Sequence, residues 1–317
     1  MALRDEVTKA MCKPGSVKES FDEKHPFHHK NYEDNLYCPL SGNALEAYKE
    51  GSGNETKVYW RKGKRCPPKM ASIASSSAMT FNLLGNEPVT IQTGENLPGG
   101  TYEVQYEKQM YTLKTGKIPA NLDAFLSNDS DKTAIFCEMK MLEWLNKPGV
   151  LRSRYQEENA WFAADNDAVS CPVDAYKVFE ELRKKITAED FKSYDAWQMF
   201  KHLLAIYNYT SFTTQKAVDG FRGTHSMAGK YKCIVLANVV NEFPPERVPE
   251  PAEYIKALEQ EQEEANKFVA LVENSKIPEL FKNNCNAGIK VIYMPAKKFA
   301  DSLKMTDAKR EYLERYF

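Results

Sequence analysis

Long apolar runs, paired cysteines and an excess of positive charge are all missing from this chain, and each absence removes a class of protein. The longest strongly apolar stretch is the segment Cys233 to Val240, far short of the roughly 20 residues a membrane helix needs, so no membrane span is expected. The 7 cysteines are odd in number, scattered singly and never spaced as CxxC. A disulfide framework is therefore not expected, and a reducing, cytoplasmic home is. The count of 43 Lys and Arg against 44 Asp and Glu gives a net charge of −1. That balance argues against avid, sequence-blind binding to nucleic acid through a broad basic surface, because such affinity grows with the number of phosphates neutralised; a locally basic cleft remains open. The first residues, MALRDEVTKAMCK, have no apolar core and are not expected to act as a signal peptide. There is no internal repeat or low-complexity tract, and the glycine-bounded segment 223–229 (GTHSMAG) lacks the ordered lysine and serine of a phosphate loop.

What remains is an ordinary globular composition, 42% apolar and 27% charged over 317 residues. Such a chain buries a substantial core as one large α/β domain or as one domain with an appended subdomain. Residues 1–69 are polar and turn-rich, with one short helical pattern at Ala44 to Lys49, and read as an N-terminal extension or arm. Residues 70–317 read as the main domain, with helical and strand additions at its C-terminal end. Within the arm, Arg61, Lys62, Lys64, Arg65 and Lys69 cluster just after Tyr59 and Trp60, and Arg152 and Arg154 form a second basic group. Each cluster is either part of a basic cleft or a solvated loop. His25, His28, His29 and Cys38 lie close together, but the close ligand pairs of a structural zinc site are absent and Pro26 interrupts the histidines.

Periodicity places the main elements. Ser72 to Leu84 carries Met79, Phe81, Leu83 and Leu84 and predicts an amphipathic helix buried on one side, ended by Gly85, Asn86 and Pro88. Tyr102 to Tyr111 predicts a strand, with Val104 and Tyr106 opposed to Glu103, Gln105 and Glu107. Helices are expected over Tyr176 to Lys185 and Asp195 to Tyr207; in the second, Trp197, Phe200, Leu203, Leu204 and Tyr207 form a core-facing stripe while Gln198 and His202 share another face. Lys230 to Asn238, ending in CIVLAN, predicts a central strand covered on both faces. A long acidic helix over Ala252 to Asn274, a strand over Ile289 to Met294 and a closing helix complete the chain.

The segment Asn121 to Leu142 (NLDAFLSNDSDKTAIFCEMKML) carries the chemistry. Two apolar strands, Leu122 to Leu126 and Thr133 to Met141, flank the polar turn Ser127 to Lys132. Folding the hairpin about Ser130 brings Asp123 opposite Glu138, and alternation sets Lys140 on the same face as Glu138, with Cys137, Met139 and Met141 on the other. Two carboxylates buried together repel unless something positive sits between them, and a hard divalent cation fits that need. The alternative is a surface hairpin whose acids and lysine are solvated.

Asp, a turn and Glu-x-Lys on the next strand, here Asp123, Glu138 and Lys140, resemble the PD-(D/E)XK nuclease superfamily, although Leu122 stands where the motif's proline would be. The run Ala74 to Leu83 (ASSSAMTFNL) resembles the Ser-Ser-Gln-Ala helix of a group of bacterial type II restriction endonucleases in that superfamily, with Ser77 in place of the glutamine. The acidic strand before Asn-Leu-Asp, the acid beside a tryptophan at Glu143 and Trp144, and the helix over Asp195 to Tyr207 agree with the same group, so the likeness spans about residues 70 to 240. The resemblance implies a restriction endonuclease-like core: an α/β fold with a mixed central sheet of about five strands flanked by helices, preceded by an irregular N-terminal arm. It implies Mg²⁺, with Mn²⁺ as a substitute, held by Asp123, Glu138 and the backbone carbonyl of Met139, with Lys140 acting on water or on phosphate charge. Glu107 and Gln198 enter as an auxiliary acid and a supporting amide; the alternatives are an exposed strand acid and a helix-surface amide. The implied partners are DNA, a second copy of the chain in a homodimer, and a cognate DNA methyltransferase of the same system.

Two other readings stand beside this one: a nuclease-fold enzyme of repair or RNA processing, and a non-catalytic scaffold in which the hairpin acids are merely ion-paired. A cysteine hydrolase using Cys137 or Cys233 is disfavoured because both sit in apolar strands, where burial makes a thiol inert.

Overall fold

Six strands form one sheet in the spatial order β10-β9-β8-β7-β6-β5, from Val89–Ile91 (β5), Gly100–Met110 (β6), Ala120–Asn128 (β7), Thr133–Lys140 (β8), Cys233–Val240 (β9) and Gly288–Pro295 (β10). The computed structural model describes residues 3–12, 21–22, 24–50, 53–110, 112, 119–146, 148–150, 155, 173–211 and 226–317. The basic pair Arg152 and Arg154 lies outside the described residues. Strands β5 to β8 run antiparallel as a meander, whereas β8, β9 and β10 are parallel. Parallel neighbours need long crossovers. Helices Val173–Lys185 (α4) and Ala196–Thr210 (α5) lie between β8 and β9, and Pro251–Glu273 (α6) and Ile277–Cys285 (α7) between β9 and β10.

Two apolar layers cover the sheet. On one face Ile135, Cys137 and Met139 of β8 pack with Phe81, Leu83 and Leu84 of the helix Ser76–Leu84 (α3). On the other, Ala134 and Phe136 of β8 pack with Phe200, Leu203 and Leu204 of α5 and with α7. The expected central strand is β9: its residues are buried except Cys233, which is exposed at the strand's first position. Cys233 thus departs from the expectation of a buried thiol, because the strand end opens to solvent; Cys137 is buried as expected.

The N-terminal residues contribute helices Leu3–Met11 (α1) and Gly42–Glu50 (α2) and the small hairpins Phe21–Asp22 with His25–His29 (β1, β2) and Tyr59–Arg61 with Lys64–Cys66 (β3, β4). Val7, Met11, Ala44 and Tyr48 join the same apolar layer as α3, so this segment is built onto the core. That explains why α3 is buried on every side from Ser77 to Leu84 rather than on one face. Asn82 of α3 is fixed by its amide donating to the Asn35 carbonyl at 2.9 Å and to the Tyr316 hydroxyl at 2.7 Å. The serines before α3 start it: Ser75 caps the helix by accepting from the Ala78 N–H at 3.2 Å. The chain closes with Ala296–Ser302 (α8) and Asp307–Leu313 (α9). Among the described residues no helix is long and apolar enough to cross a membrane.

Candidate active site

The carboxyl end of β8 projects two charged side chains into an apolar layer. Alternation turns Glu138 and Lys140 to the face of Ala134 and Phe136, toward α5, and gives Met139 to the opposite face. α5 is aligned to meet them. Asp195 caps its first turn by accepting from the Gln198 N–H at 2.9 Å, which orients the helix so that Gln198 and His202, one turn apart, both point at β8.

Three short hydrogen bonds close a triangle. The Lys140 ammonium donates to Glu138 Oε1 at 2.6 Å and to Gln198 Oε1 at 2.7 Å, and the Gln198 amide donates to Glu138 Oε1 at 2.7 Å. His202 Nε2 lies 2.9 Å from Glu138 Oε2, within charge contact but without a ring N–H aligned on it. Burial raises the Glu138 carboxyl, yet Lys140 and His202 outweigh it and hold the group below the usual carboxylate range. Burial works against the Lys140 charge too, but Glu138, Glu143 and Asp123 together keep its pKa above that of an ordinary lysine. Lys140 is therefore a fixed ammonium. Its side chain keeps 18% exposure against 4% for Glu138, so the triangle has a mouth on the lysine side.

Asp123 meets the triangle from β7. Pairing of β7 with β8 ends at Ala124 opposite Cys137, and the next position sets Asp123 across from Glu138 as the hairpin spacing predicts. There the Asp123 side chain takes over the ladder, its Oδ2 accepting the Met139 N–H at 2.6 Å. The Lys140 carbonyl is already bonded to the Asn241 N–H at 2.7 Å on the other side, so strand alternation turns the Met139 carbonyl toward Asp123. Burial first, then Glu138 and Glu107, push the Asp123 carboxyl well above its ordinary range.

Glu107 completes an acidic cluster. It breaks the alternation of β6, with φ 52° in the left-handed region that a non-glycine residue rarely enters. Tyr102, Val104 and Tyr106 are buried while Glu103 and Gln105 are exposed, but the pattern fails at Glu107, which turns inward and accepts a hydrogen bond from the Asn121 side-chain amide. Burial, with Glu55 and Glu138 nearby, pushes it up to about 7 despite the Asn121 bond. Strain of this kind is held in place by surrounding structure and concentrates at functional sites. The alternative of an exposed strand acid is thus not what the chain builds.

The donor set is chemically suited to a hard divalent cation. Glu138 Oε2 is buried with no aligned hydrogen-bond partner, Asp123 is held at high pKa by neighbouring acids, and the Met139 carbonyl faces the same side. Among the described residues no group of three or more His, Cys, Asp or Glu side chains is assembled for a metal ion. The residues that could hold such an ion are thus two carboxylates, Asp123 and Glu138, and the Met139 carbonyl.

Several contacts of the site escape a sequence reading. His202 is legible only as a packed histidine, since its contact with Glu138 is long-range. Glu143 caps the end of β8, its Oε2 accepting the Met141 and Leu142 N–H groups at 2.6 and 3.1 Å. α6 passes from one apolar layer to the other, Tyr254 in the first and Ala265, Phe268 and Val272 in the second. Between them it buries Glu261 and Glu264. Glu264 Oε2 accepts the N–H groups of Lys192, Ser193 and Tyr194 at 2.9, 2.8 and 2.9 Å, fixing the loop that leads into α5 and Gln198. Glu261, pushed by burial up to about 8, lines a cavity of about 60 Å³ with Lys140, Gln198, Tyr194 and Asn238. The signal for both acids was their place in the stripe 261, 264, 265, 268 and 272, where helical spacing calls for apolar residues.

No curated protein and no solved structure matches the chain. A family model described as "Restriction Endonuclease associating with ARP" matches residues 5–227, which takes in Glu107, the β7–β8 hairpin and α5 but stops before β9 and α6. With a mixed α/β sheet that gathers carboxylates, a fixed ammonium and a supporting amide, the chain belongs to this restriction endonuclease family.

Proposed function

We propose that the protein is a Mg²⁺-dependent endonuclease of the PD-(D/E)XK type that hydrolyses DNA phosphodiester bonds as a restriction enzyme. The observation that carries this reading is the hydrogen-bonded triangle of Glu138, Lys140 and Gln198, with distances of 2.6, 2.7 and 2.7 Å, beside the Asp123 carboxyl. Asp123, Glu138 and the Met139 carbonyl would hold the cation, with Mn²⁺ as a substitute. A divalent ion bound there supplies Lewis-acid polarisation of a phosphate oxygen and an acidified water.

The chain's own residues supply the rest. In the metal-free site Lys140 is held as an ammonium, which suits it to orient the attacking water through hydrogen bonds and to stabilise negative charge on the phosphate. Gln198 accepts from Lys140 and donates to Glu138, so one amide fixes both charged groups in their reactive directions. His202 confines the second Glu138 oxygen from below, and the apolar layer around Phe136 and Phe200 excludes bulk water from that side. Asp123, held well above the usual carboxylate range, and Glu107, pushed up to about 7, are the acids that hold protons when the cluster lacks a cation. Cleavage of both strands at a symmetric site calls for a two-fold homodimer, and protection of host DNA calls for a methyltransferase of the same system.

The test is incubation of the purified protein with unmethylated plasmid and genomic DNA in Mg²⁺ or in EDTA. Discrete fragments that need the metal and vanish with Glu138→Ala are expected. Intact DNA under every condition, with duplex binding also absent, would overturn the reading.

A further inference from the structure

The basic cluster singled out in the sequence folds into an element that the reaction does not use. Tyr59–Arg61 and Lys64–Cys66 form the antiparallel hairpin β3–β4, with Tyr59 paired to Cys66, Trp60 to Arg65 and Arg61 to Lys64. Lys62 and Gly63 make the turn with φ 49° and 75°, positive at both central positions as in the tight turn whose twist matches paired strands. The hairpin is therefore a short, shaped ribbon rather than a loose loop.

Tyr59 and Cys66 are half-buried, while Arg61, Lys62, Lys64 and Arg65 are exposed; by alternation Arg61 and Lys64 share the face of Tyr59 and Cys66, and Arg65 shares that of Trp60. None of these four has an acidic partner within ion-pair distance among the described residues, although the chain as a whole carries a net charge of −1. Trp60 stands beside Arg65 on the outer face with 71% of its surface exposed, well above the other exposed large apolar side chains of the hairpin region. An exposed tryptophan beside four exposed cations presents an aromatic ring and concentrated positive charge to one ligand.

The hairpin's root leads to the active site. Tyr59 and Lys69 line a cleft of about 310 Å³ together with Arg4, Ser76 and Glu143. The cleft that Tyr59 lines and the cavity that Glu138 and Lys140 line thus have Glu143 in common.

We propose that the β3–β4 hairpin is a clamp for duplex DNA: Arg61, Lys62, Lys64 and Arg65 neutralise backbone phosphates flanking the scissile bond, and the Trp60 ring packs into the adjacent groove. The proposal rests on the nuclease reading above. A two-stranded ribbon is narrow enough to enter a major groove. Because the rest of the chain is net negative once these four cations are set apart, the cations concentrated on one ribbon carry most of the salt-dependent affinity. Four phosphate contacts correspond to a slope of about 3.6 in a plot of log Kd against log salt concentration.

The experiment compares the whole wild-type protein with a variant carrying Arg61→Gln, Lys62→Gln, Lys64→Gln and Arg65→Gln, and separately with Trp60→Ala. Binding to a labelled duplex is followed by anisotropy in EDTA over a range of salt, and cleavage by KM and kcat in Mg²⁺. All five side chains are exposed, and thermal melts check that each variant folds. The expected result for the quadruple variant is a salt slope shallower by about 3.6, a Kd raised about 10²-fold or more near 0.1 M salt, and a raised KM with kcat retained. Trp60→Ala should weaken binding with the slope unchanged, since it removes no charge. Equal binding and equal slope for all three proteins, with the wild type still cleaving DNA, would overturn the clamp and leave the nuclease reading intact. A wild type that neither binds nor cleaves duplex DNA would overturn the nuclease reading, and the clamp with it.

Discussion

Replacing Glu107 with Gln should stabilise the metal-free protein, and only above acidic pH. Glu107→Gln keeps the size of the side chain and an oxygen able to accept from Asn121, so the hydrogen bond at this position survives. What it removes is a carboxyl whose folded pKa is about 7 against an ordinary 4.5. Because the folded value is the higher one, the folded state binds the proton more tightly. Below pH 4.5 the group is protonated folded or unfolded and contributes nothing. Between 4.5 and about 7 only the unfolded chain releases its proton, so wild-type stability falls by about 1.4 kcal/mol per pH unit. Above about 7 the penalty levels off at ~3.5 kcal/mol as an upper figure, reduced by whatever solvent screening reaches the site. The charges that set it are Glu55 and Glu138, which raise the pKa, and Lys69, which lowers it. Urea denaturation of both proteins in EDTA, at intervals from pH 4 to 8.5, reads the difference directly. The variant should match the wild type near pH 4 and exceed it progressively toward neutrality. A difference independent of pH would refute the reasoning, because it would mean that Glu107 is ionised and solvated in the folded protein.

The same geometry predicts other outcomes. Mg²⁺ at 100 times its Kd should raise the stability of the wild type by about 2.7 kcal/mol, seen as a shifted melt, while Asp123→Asn should fold normally without metal and gain little from it. Gln198→Ala should lower the cleavage rate about 10- to 100-fold, as is usual for residues that orient a charged group, with binding of duplex DNA unchanged in anisotropy. Glu264→Ala strips three backbone N–H groups of their acceptor and should cost about 2 to 4 kcal/mol in denaturation. It should also depress kcat more than it raises KM, because the loop it releases carries α5 and Gln198; Glu264→Gln, which retains an acceptor, should recover much of both.

The parts of the fold legible in the sequence are those that depend on near neighbours. Alternation and a polar turn sufficed for β7 and β8, and hairpin geometry alone set Asp123 across from Glu138. Helical spacing located α5 and put Gln198 and His202 on one face, which the structure aims at Glu138. Continuous apolarity identified β9 as an inner strand. What was not legible depends on distant packing or on a local break in pattern. Glu107 reads as an exposed acid by alternation and is turned inward only because its backbone adopts φ 52°. Ser77 to Leu84 read as one-sided because nothing in their spacing shows that α1 and α2 close over them. The sixth strand, β5, is only three residues long and too short for any period to register. Glu261 reaches the cavity beside Lys140, and Glu264 the loop before α5, from more than 100 residues beyond Lys140 in the chain; helical spacing marks both as buried but encodes neither contact.

In the proposed reaction Lys140, held as an ammonium between Glu138 and Gln198, stabilises charge during phosphodiester cleavage. The most direct measurement is single-turnover cleavage of a DNA substrate in saturating Mg²⁺ by the wild type and by Lys140→Met, which keeps the length of the stem and removes the charge, with a melt of each protein alongside. A folded variant that binds DNA normally and cleaves about 10² to 10³ times more slowly is predicted. A folded Lys140→Met protein that cleaves at the wild-type rate would contradict it.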